Sequence, residues 1–378
     1  MLAGSRSQDP FHPGIRRMTG LSAARRSFPF VEQALYLNTA TAGLSWQGLG
    51  EASAAFYEAK RRGICGRGEW VATAERTRAR LATLLGVNEG TVSFTGSATE
   101  ALNLTCLGLP LPCGSRIAIA ADEFPSVWQA CLPLRKAGIE STPVEIPRES
   151  ERTAALVEAA AHAQALAVSH VHWRTGTCVD LERLAAACAR SGAWLIVDGV
   201  QAVGAIPVRA GLADAYCGSS FKWLLSGFGL GFMTLGERLA RQWTPPFRGY
   251  ANEWPSRDPQ YGHLDYPGIY ALGASLEFLE SLGWHDIFQR VAALASGLGA
   301  ALRAAGFDVL TPPDCTAGIV SVCRDDATDI VERLAEESIF VEDRDAIVRA
   351  APHFYNTEAE IARFVRALAE RSRRPYGR

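Results

Sequence analysis

An apolar run that ends abruptly in a carboxylate constrains the fold of this chain more than any other feature. The run, Trp194–Asp198 (WLIVD), is typical of a fully buried strand, and Gln201 follows its acid by three residues. Further along, residues 219–223 (SSFKW) place Lys222 between two aromatic residues and after two serines. Buried charge is costly unless it is paired, and lysine is rarely buried without a partner. Asp198 and Lys222 are therefore both expected to meet a partner.

Strands and helices are predicted to alternate along most of the chain. The predicted strands are 91–95, 116–121, 139–146, 165–173 and 194–198, and the predicted helices between and before them are about 49–62, 71–85, 97–107, 127–137, 151–164 and 181–191. Repeated βα units indicate an α/β fold with a mostly parallel sheet and helices on both faces. Ligands in such sheets collect at the carboxyl ends of the strands. Chemistry-bearing residues fall at or just past these ends, namely 96–99, Phe124, Trp173, Arg174, Asp198 and Lys222.

Beyond residue 235 the alternation becomes irregular, which indicates a smaller α+β domain. Its predicted helices are 269–282, 285–305, 327–337 and 357–371, and its predicted strands are 307–310, 318–323 and 339–341. Three regions are therefore predicted: a disordered tail over 1–30, a large domain over 31–260 and a small domain over 261–378. The N-terminal segment of the large domain is expected to contribute to the small one. The tail lacks the apolar core of a signal peptide.

A Gly-Ser-Ala-Thr turn follows the first strand of the sheet and opens a helix. Such a turn presents backbone N–H groups at the positive end of the helix dipole, where phosphate binds readily. Ser97 and Glu100 also have the spacing of a capping box. The segment therefore predicts a phosphate site around Ser97, Ala98 and Thr99, or simply a capped helix.

Composition excludes several classes of protein. The formal net charge is −2, which argues against a nucleic-acid partner or a membrane-surface role, and no apolar run reaches the length of about 18 residues that a membrane span needs. Nine cysteines, an odd number without a C-x-x-C pair, are typical of a reduced, cytoplasmic protein. The seven histidines have no metal-ligand spacing; His170 and His172 are two apart on a predicted strand, without a third ligand nearby. No metal is predicted.

One chemistry accounts for both unexplained charges. The carboxylate of Asp198 would face a cationic ring nitrogen, and the amine of Lys222 would be consumed as an imine, as in enzymes that use pyridoxal 5′-phosphate (PLP). The segments around these residues resemble the class V aminotransferases of PLP fold type I, a family that includes cysteine desulfurases, kynureninase and isopenicillin N epimerase-like proteins. The resemblance rests on 36–40 (YLNTA), 96–103 (GSATEALN), 169–176 (SHVHWRTG), 198–201 (DGVQ), 219–231 (SSFKWLLSGFGLG) and 349–358 (RAAPHFYNTE).

The resemblance implies that the mostly parallel sheet is of seven-stranded type, and it also implies roles for particular residues. Lys222 would form the Schiff base with PLP, Asp198 would pair with the pyridine nitrogen, and Gln201 would donate to the phenolic oxygen. Residues expected to hold the phosphate or stack on the ring are Ser97, Ala98, Thr99, Ser219, Ser220 and Phe124. Residues expected on the substrate side are Arg349 first, for a carboxylate, then Arg344, with His172, Trp173 and Arg174 at the border. Each also has a plain alternative: a packing phenylalanine, a capping serine or aspartate, or a solvated arginine.

The reaction is less determined than the cofactor. An aminotransferase acting on an amino acid or amine is the first hypothesis, and a lyase of C–S or β-cleaving type, kynureninase-like, or an epimerase is the alternative. A persulfide-forming cysteine desulfurase is disfavoured. The resemblance implies that its reactive cysteine would lie on a loop just before the C-terminal arginine segment, and residues 337–349 contain no cysteine. Cys323 falls on a predicted strand and is expected to be a core residue. The resemblance also implies a homodimer in which residues 262–268 of one copy complete the site of the other.

The sequence disfavours two other classes of protein. A non-catalytic regulator of the same fold would need a separate DNA-binding domain, and the roughly 30 residues before the fold are too few for one. A nicotinamide-dependent enzyme would place G-x-G-x-x-G after the first strand, whereas the glycine-spaced residues 227–231 lie after the lysine.

Overall fold

The computed structural model describes residues 20–372. Its helices are α1 Leu21–Ala24, α2 Leu49–Lys60, α3 Arg67–Leu85, α4 Ala98–Leu107, α5 Pro125–Cys131, α6 Arg152–Ala160, α7 Leu181–Ser191, α8 Glu237–Ala240, α9 Tyr266–Leu282, α10 Trp284–Ala304, α11 Ala327–Glu336 and α12 Glu358–Ser372. Its strands are β1 Leu35–Tyr36, β2 Val92–Thr95, β3 Arg116–Ala120, β4 Glu140–Val144, β5 Ala165–Ser169, β6 Trp194–Asp198, β7 Ala215–Ser219, β8 Gly231–Leu235, β9 Val320–Cys323, β10 Ile339–Phe340, β11 Glu342–Asp343 and β12 Ile347–Ala350.

A seven-stranded sheet organises the fold in the order β2-β8-β7-β6-β5-β3-β4. Strands β7, β6, β5, β3 and β4 pair in parallel, and β8 runs antiparallel to both of its neighbours, β2 and β7. The prediction of an α/β fold with a mostly parallel seven-stranded sheet is confirmed. Strand β6 lies in the middle of the sheet, so its acid end is carried to the centre of one edge.

Side chains of β6 alternate between two apolar cores, because successive residues of a strand point to opposite faces. Leu195 and Val197 belong to the larger core, whereas Trp194 and Ile196 belong to a second core on the other face. All five residues of the strand are buried. The apolar run that opened the sequence argument is thus a strand with helices on both faces, as expected.

A third core holds the C-terminal unit together. It joins β9 and β12 to α10, α11 and α12, and it includes Leu35 and Leu37 from the N-terminal segment. That segment enters the unit because β1 pairs in parallel with β10. Helix α9 packs instead on α2 and α3 and belongs to the larger core. The predicted domain boundary at 260/261 stays a prediction.

Two local predictions need correction. The predicted strand 307–310 is not a strand in the structure. Val309 forms an isolated bridge with Val322, and the pairing does not extend to the residues on either side. Disorder was predicted over 1–30; residues 1–19 lie outside the described part, but residues 20–30 are structured. Phe28 is buried there against the rings of Phe278, Phe354 and Tyr355, a set of contacts that no local pattern could indicate. Among residues 20–372, no helix is long and apolar enough to cross a membrane.

Candidate active site

A cavity of about 220 Å³ opens at the carboxyl ends of β5, β6 and β7, beside the start of α4. Strand ends meet here because the parallel strands all point the same way. Nine of the predicted site residues line it: Ser97, Ala98, Thr99, Phe124, Trp173, Asp198, Gln201, Ser219 and Lys222. Six lining residues were not predicted: Leu102, Ser126, Ser169, Val171, Val200 and Phe221. Five of them lie within segments that carry the family resemblance, and Ser126 lies two residues after Phe124, so these segments were the available signal.

Asp198 ends β6 with its carboxylate buried at the cavity. The side chain is 6% exposed, and Oδ1 accepts a hydrogen bond of 2.9 Å from the Val200 N–H. Burial raises the pKa of Asp198, while the Val200 N–H and the charge of Lys222 oppose that rise. A buried carboxylate with so few donors is costly unless a cation meets it. Asp198 is therefore arranged to receive a positive or N–H-bearing group from the cavity.

Lys222 follows β7 and faces the same cavity. Its Nζ lies 5.9 Å from the centroid of the Phe124 ring and 5.6 Å from that of Phe221. Burial, followed by the nearby charge of Arg349, lowers the pKa of Lys222 to about 8. The chain contains only two other lysines, Lys60 and Lys136, and both are exposed. Lys222 is thus the lysine suited to supply a neutral, nucleophilic amine near neutral pH.

The lysine segment is held from two sides. Gln201 donates from Nε2 to the Ala40 carbonyl (2.9 Å) and accepts at Oε1 from the Trp223 indole N–H (2.9 Å). His353 Nε2 donates to the Trp223 carbonyl at 3.1 Å. Gln201 lines the cavity as predicted. One of its side-chain N–H groups and its side-chain oxygen are already bonded to Ala40 and Trp223, so they hold the segment beside Lys222 in place.

The start of α4 is capped by its own residues. Ser97 Oγ accepts from the Glu100 N–H at 3.1 Å, which is one half of a capping box, while the Glu100 carboxylate accepts from the N–H of Gly96, the residue before the N-cap. The first N–H groups of a helix have no partner within the helix, so those of Ala98 and Thr99 remain able to meet an anion. Thr99 Oγ1 lies 2.9 Å from Ser126 Oγ.

The two serines before Lys222 have different environments. Ser219 Oγ lines the cavity and is buried without a hydrogen-bond partner among residues 20–372. Ser220 Oγ instead donates to the carbonyls of Gly227 (2.8 Å) and Leu230 (2.9 Å) and is absent from the lining. The two serines therefore differ in role: Ser219 is available to a ligand, whereas Ser220 bonds to the loop that follows Lys222. They differ because successive residues of an extended segment face opposite sides.

Gly231 lets α4 start directly against the sheet. It pairs with Thr95 on one side and Ser219 on the other, and a Cβ there would lie 2.7 Å from the Ala98 nitrogen and closer still to the Ser97 backbone. We expect Gly231→Ala to push the helix start away from the cavity, to destabilise the protein by about 1–3 kcal/mol and to weaken cofactor binding. Denaturant unfolding and titration of the apoprotein with PLP measure the two effects.

The glycine-spaced segment 227–231 also supplies the control for that prediction. A Cβ at Gly227 would meet no atom within 4 Å, so Gly227→Ala should leave both measurements near the wild-type values. Equal behaviour of the two variants would show that close packing at Gly231 does not position the helix.

Arg349, on β12, was predicted to bind the substrate; it does not line the cavity but contacts the backbone of Trp173, which does. It is 2% exposed, and it donates to the Trp173 carbonyl (2.7 Å) and to Thr41 Oγ1 (2.6 Å). Burial, with the neighbouring charge of Arg344, lowers the pKa of Arg349 to about 10, and Glu342 opposes that shift. Arg349 is therefore a buried, positioned cation beside the wall that Trp173 forms.

Arg344 and Glu342 lie on the hairpin of β11 and β12, beside Arg349. Glu342 is paired opposite Arg349 across β11 and β12. One of its oxygens forms a 3.0 Å ion pair with Arg344, and the other accepts from Asn38 Nδ2 (2.8 Å) and Thr41 Oγ1 (2.7 Å). Thr41 and Glu342 were not predicted, because nothing in the local sequence signals a contact across 301 residues.

His172 was predicted to border the pocket, and the structure places it elsewhere. Val171 and Trp173 line the cavity, so His172, which lies between them in an extended segment, faces the other way. Its Nε2 donates to the Asp122 carbonyl at 3.1 Å, and its Nδ1 lies 2.8 Å from Thr175 Oγ1.

His172, Asp122 and Glu149 approach one another within the distance expected of metal ligands. Arg152 already bridges the two carboxylates, with hydrogen bonds of 2.6 Å and 2.8 Å from Nη2. The cluster is therefore a buried ion network that joins α6 to the sheet. Burial and the Arg152 charge lower the pKa of His172.

The fold and the site define an enzyme of the PLP-dependent, fold type I class. The residues present fit that cofactor: a buried carboxylate with one hydrogen bond, a lysine of lowered pKa, a helix start, and a buried serine hydroxyl without a partner in residues 20–372 all face one cavity. The model of the aminotransferase class-V family matches residues 47–364. The chain belongs to this family, and its cofactor is pyridoxal 5′-phosphate.

Individual relatives are distant but cover most of the chain. The uncharacterized aminotransferase YcbU of Bacillus subtilis is 25% identical over 325 residues, 80% of this chain and 86% of that protein. Isopenicillin N epimerase of Amycolatopsis lactamdurans is 27% identical and covers 78% of this chain and 84% of its own. The cystine C–S lyase C-DES, solved with its product cysteine persulfide, has a TM-score of 0.84 at 21% identity, covers 91% and 99% of the two chains, and supports the fold alone.

Cysteine desulfurases and a kynureninase are also among the relatives. The comparisons therefore do not support the sequence argument against a desulfurase. Cys323, which was expected to be a core residue, is exposed at the end of β9.

Proposed function

We propose that this enzyme is an aminotransferase that acts on the amino group of an amino acid, with Lys222 and Asp198 as its catalytic residues. The observation that carries the proposal is that these two side chains, 24 residues apart in the sequence, line one cavity of about 220 Å³. The relative named as an aminotransferase supports transamination.

The proposed cofactor site has two ends. When bound, PLP supplies an electron sink that stabilises negative charge at the substrate carbon. Asp198 would hold a proton on the pyridine nitrogen, and the start of α4 with Thr99 and Ser219 would bind the phosphate. Phe124, whose ring meets that of Trp173 at 5.5 Å between centroids, would cover the ring and exclude water.

The buried cation Arg349 indicates how the substrate would be oriented. Arg349 would bind the α-carboxylate, since a guanidinium matches a carboxylate in a bidentate fashion. That contact would orient the amino group toward Lys222. The lowered pKa of Lys222 leaves part of its amine neutral near pH 8, so that it can accept a proton and return it from the same position.

A lyase or an epimerase is the alternative, since relatives are named kynureninase and isopenicillin N epimerase. Both would use the same Asp198 and Lys222 and would differ in where protons are delivered.

A panel of amino acids tests the function. Purified holoprotein is mixed with each amino acid and a keto-acid acceptor, while the visible absorbance of the cofactor and the products are followed. We expect a change in absorbance and one keto acid per amino group transferred. Ammonia release would replace the aminotransferase by a lyase, and an inverted centre would replace it by an epimerase. Unchanged absorbance with every amino acid and amine would refute the proposal.

The homodimer and the cytoplasmic location are also proposed, from the family resemblance. The loop expected to reach a partner, residues 262–268, follows Tyr261, whose hydroxyl donates to Glu100 Oε1 at 2.8 Å. The loop therefore begins beside the start of α4 of its own chain. Residues 261–265 line a second cavity together with Gly96 and Glu100. A neighbouring copy would therefore meet the phosphate end of the site.

A further inference from the structure

Three arginine side chains meet between the turn after β5 and the hairpin of β11 and β12. Arg349 donates to the Trp173 carbonyl. Arg174 lies with its guanidinium carbon 5.8 Å from the Trp173 ring centroid, and it donates to the Asp345 carbonyl at 3.5 Å. Arg344, which precedes Asp345, completes the group. Two of the three arginines therefore contact Trp173, which lines the active-site cavity, whereas the arginines themselves lie behind that lining.

Each of these arginines retains an unused donor. The Nε atoms of Arg174, Arg344 and Arg349 are all buried and have no hydrogen-bond partner within the described chain. Buried donors are costly when they stay unpaired, and such groups need an explanation. Arg349 is itself only 2% exposed. Three unpaired N–H groups at one wall are explained if a ligand supplies the acceptors.

Two of the three arginines have no carboxylate partner. The hairpin carries the acids Glu342, Asp343 and Asp345. The oxygens of Glu342 already accept from Asn38, Thr41 and Arg344, and Asp343 accepts from Thr328. In residues 20–372, neither Arg349 nor Arg174 forms a salt bridge with a carboxylate. One α-carboxylate would pair with Arg349 and leave Arg174 without a carboxylate, and a cationic or neutral substrate side chain would not supply one.

Resting on the proposed function, we propose that the substrate is an amino acid whose side chain carries a second carboxylate. Arg349 binds the α-carboxylate, and Arg174, with Arg344 beside it, binds the distal one. The indole of Trp173, which lines the cavity and lies beside the Arg174 guanidinium, packs against the carbon chain that joins the two carboxylates. Charge-assisted contacts of this kind are roughly twice as strong as neutral ones, so they set the preference among amino acids.

Binding of an unreactive diacid tests the proposal without turnover. Succinate has two carboxylates and no amino group, and succinamate replaces one carboxylate by a neutral amide of similar shape. Isothermal calorimetry on the holoprotein is expected to give succinate about tenfold tighter binding or more, which corresponds to about 1.4 kcal/mol. Equal affinities for the two compounds would overturn the proposal.

Variants assign the preference to particular residues. Arg174→Gln and, independently, Arg344→Gln are expected to weaken succinate binding while leaving succinamate binding near its original value. Arg349→Gln should weaken both compounds. The exposed Arg241 provides the control, and Arg241→Gln should change neither. An undiminished preference for succinate in both the Arg174 and the Arg344 variant would overturn the assignment.

The absorbance titration with amino acids tests the second-carboxylate proposal and the aminotransferase proposal separately. If amino acids with neutral side chains change the cofactor absorbance as well as aspartate and glutamate do, the second carboxylate is wrong and the aminotransferase proposal stands. If no amino acid changes the absorbance, the aminotransferase proposal itself fails. Comparing aspartate with glutamate then gives the length of side chain that the arginines accept.

Discussion

Replacing Lys222 with alanine is expected to abolish the visible absorbance band of the bound cofactor and to remove turnover. Lys222 is the lysine that faces the cavity, and its amine is proposed both to attach PLP and to carry the transferred proton. Loss of proton transfer alone costs about 10²- to 10⁴-fold in rate, and loss of covalent attachment adds to that. Absorbance of the purified variant with added PLP, and the rate of keto-acid formation, measure the two effects.

The other two lysines of the chain provide matched controls. Lys60 and Lys136 are exposed and do not line the cavity, so Lys60→Ala and Lys136→Ala should keep both the band and the rate. A Lys222→Ala protein that retains the band would show that another group attaches the cofactor. Circular dichroism of all three variants confirms that each has folded.

Replacing Asp198 with asparagine is expected to lower turnover by about 10²- to 10³-fold, the usual cost of removing one electrostatic group from a reaction centre. Asparagine keeps the shape of the side chain but carries no charge to hold a proton on the pyridine nitrogen. We also expect weaker PLP binding. Steady-state rates and PLP titration of the apoprotein give both values.

Stability should change in the opposite direction. The folded-state pKa of Asp198 is raised by burial, so the unfolded chain gives up this proton more readily and the charged carboxylate destabilises the apoprotein at neutral pH. Asp198→Asn apoprotein should therefore be as stable as the parent near pH 7, or more stable. Asp329→Asn, at an exposed position of α11, serves as the control. A large loss of stability with unchanged turnover would mean that Asp198 has only a structural role.

Local sequence patterns were sufficient for the central part of the fold. Four consecutive apolar residues predicted β6, and the acid at its end predicted a site there. The Ser97–Glu100 spacing predicted the helix start and the bond from the Glu100 N–H to Ser97 Oγ that the structure contains. These features were predictable because helix and strand periodicity and capping depend on residues close together in the chain.

Side-chain direction at the site was less predictable. His172 and Trp173 are adjacent, yet only Trp173 lines the cavity, and Ser219 and Ser220 divide in the same way. A shift of one residue in an extended segment exchanges the two faces. The sequence indicated the segments, and the register of the sheet determined which of their side chains reach the site.

The sequence by itself determined the alternating α/β architecture, the acid and lysine of the site and the family to which the chain belongs. Only the tertiary structure decided which residues from distant segments surround them. Thr41 and Glu342 meet across 301 residues, and Arg174 reaches the hairpin carrying Arg344 across 171. The reason is physical: a local pattern specifies how a segment folds, whereas the partner of a buried charge is set by the packing of whole elements against one another.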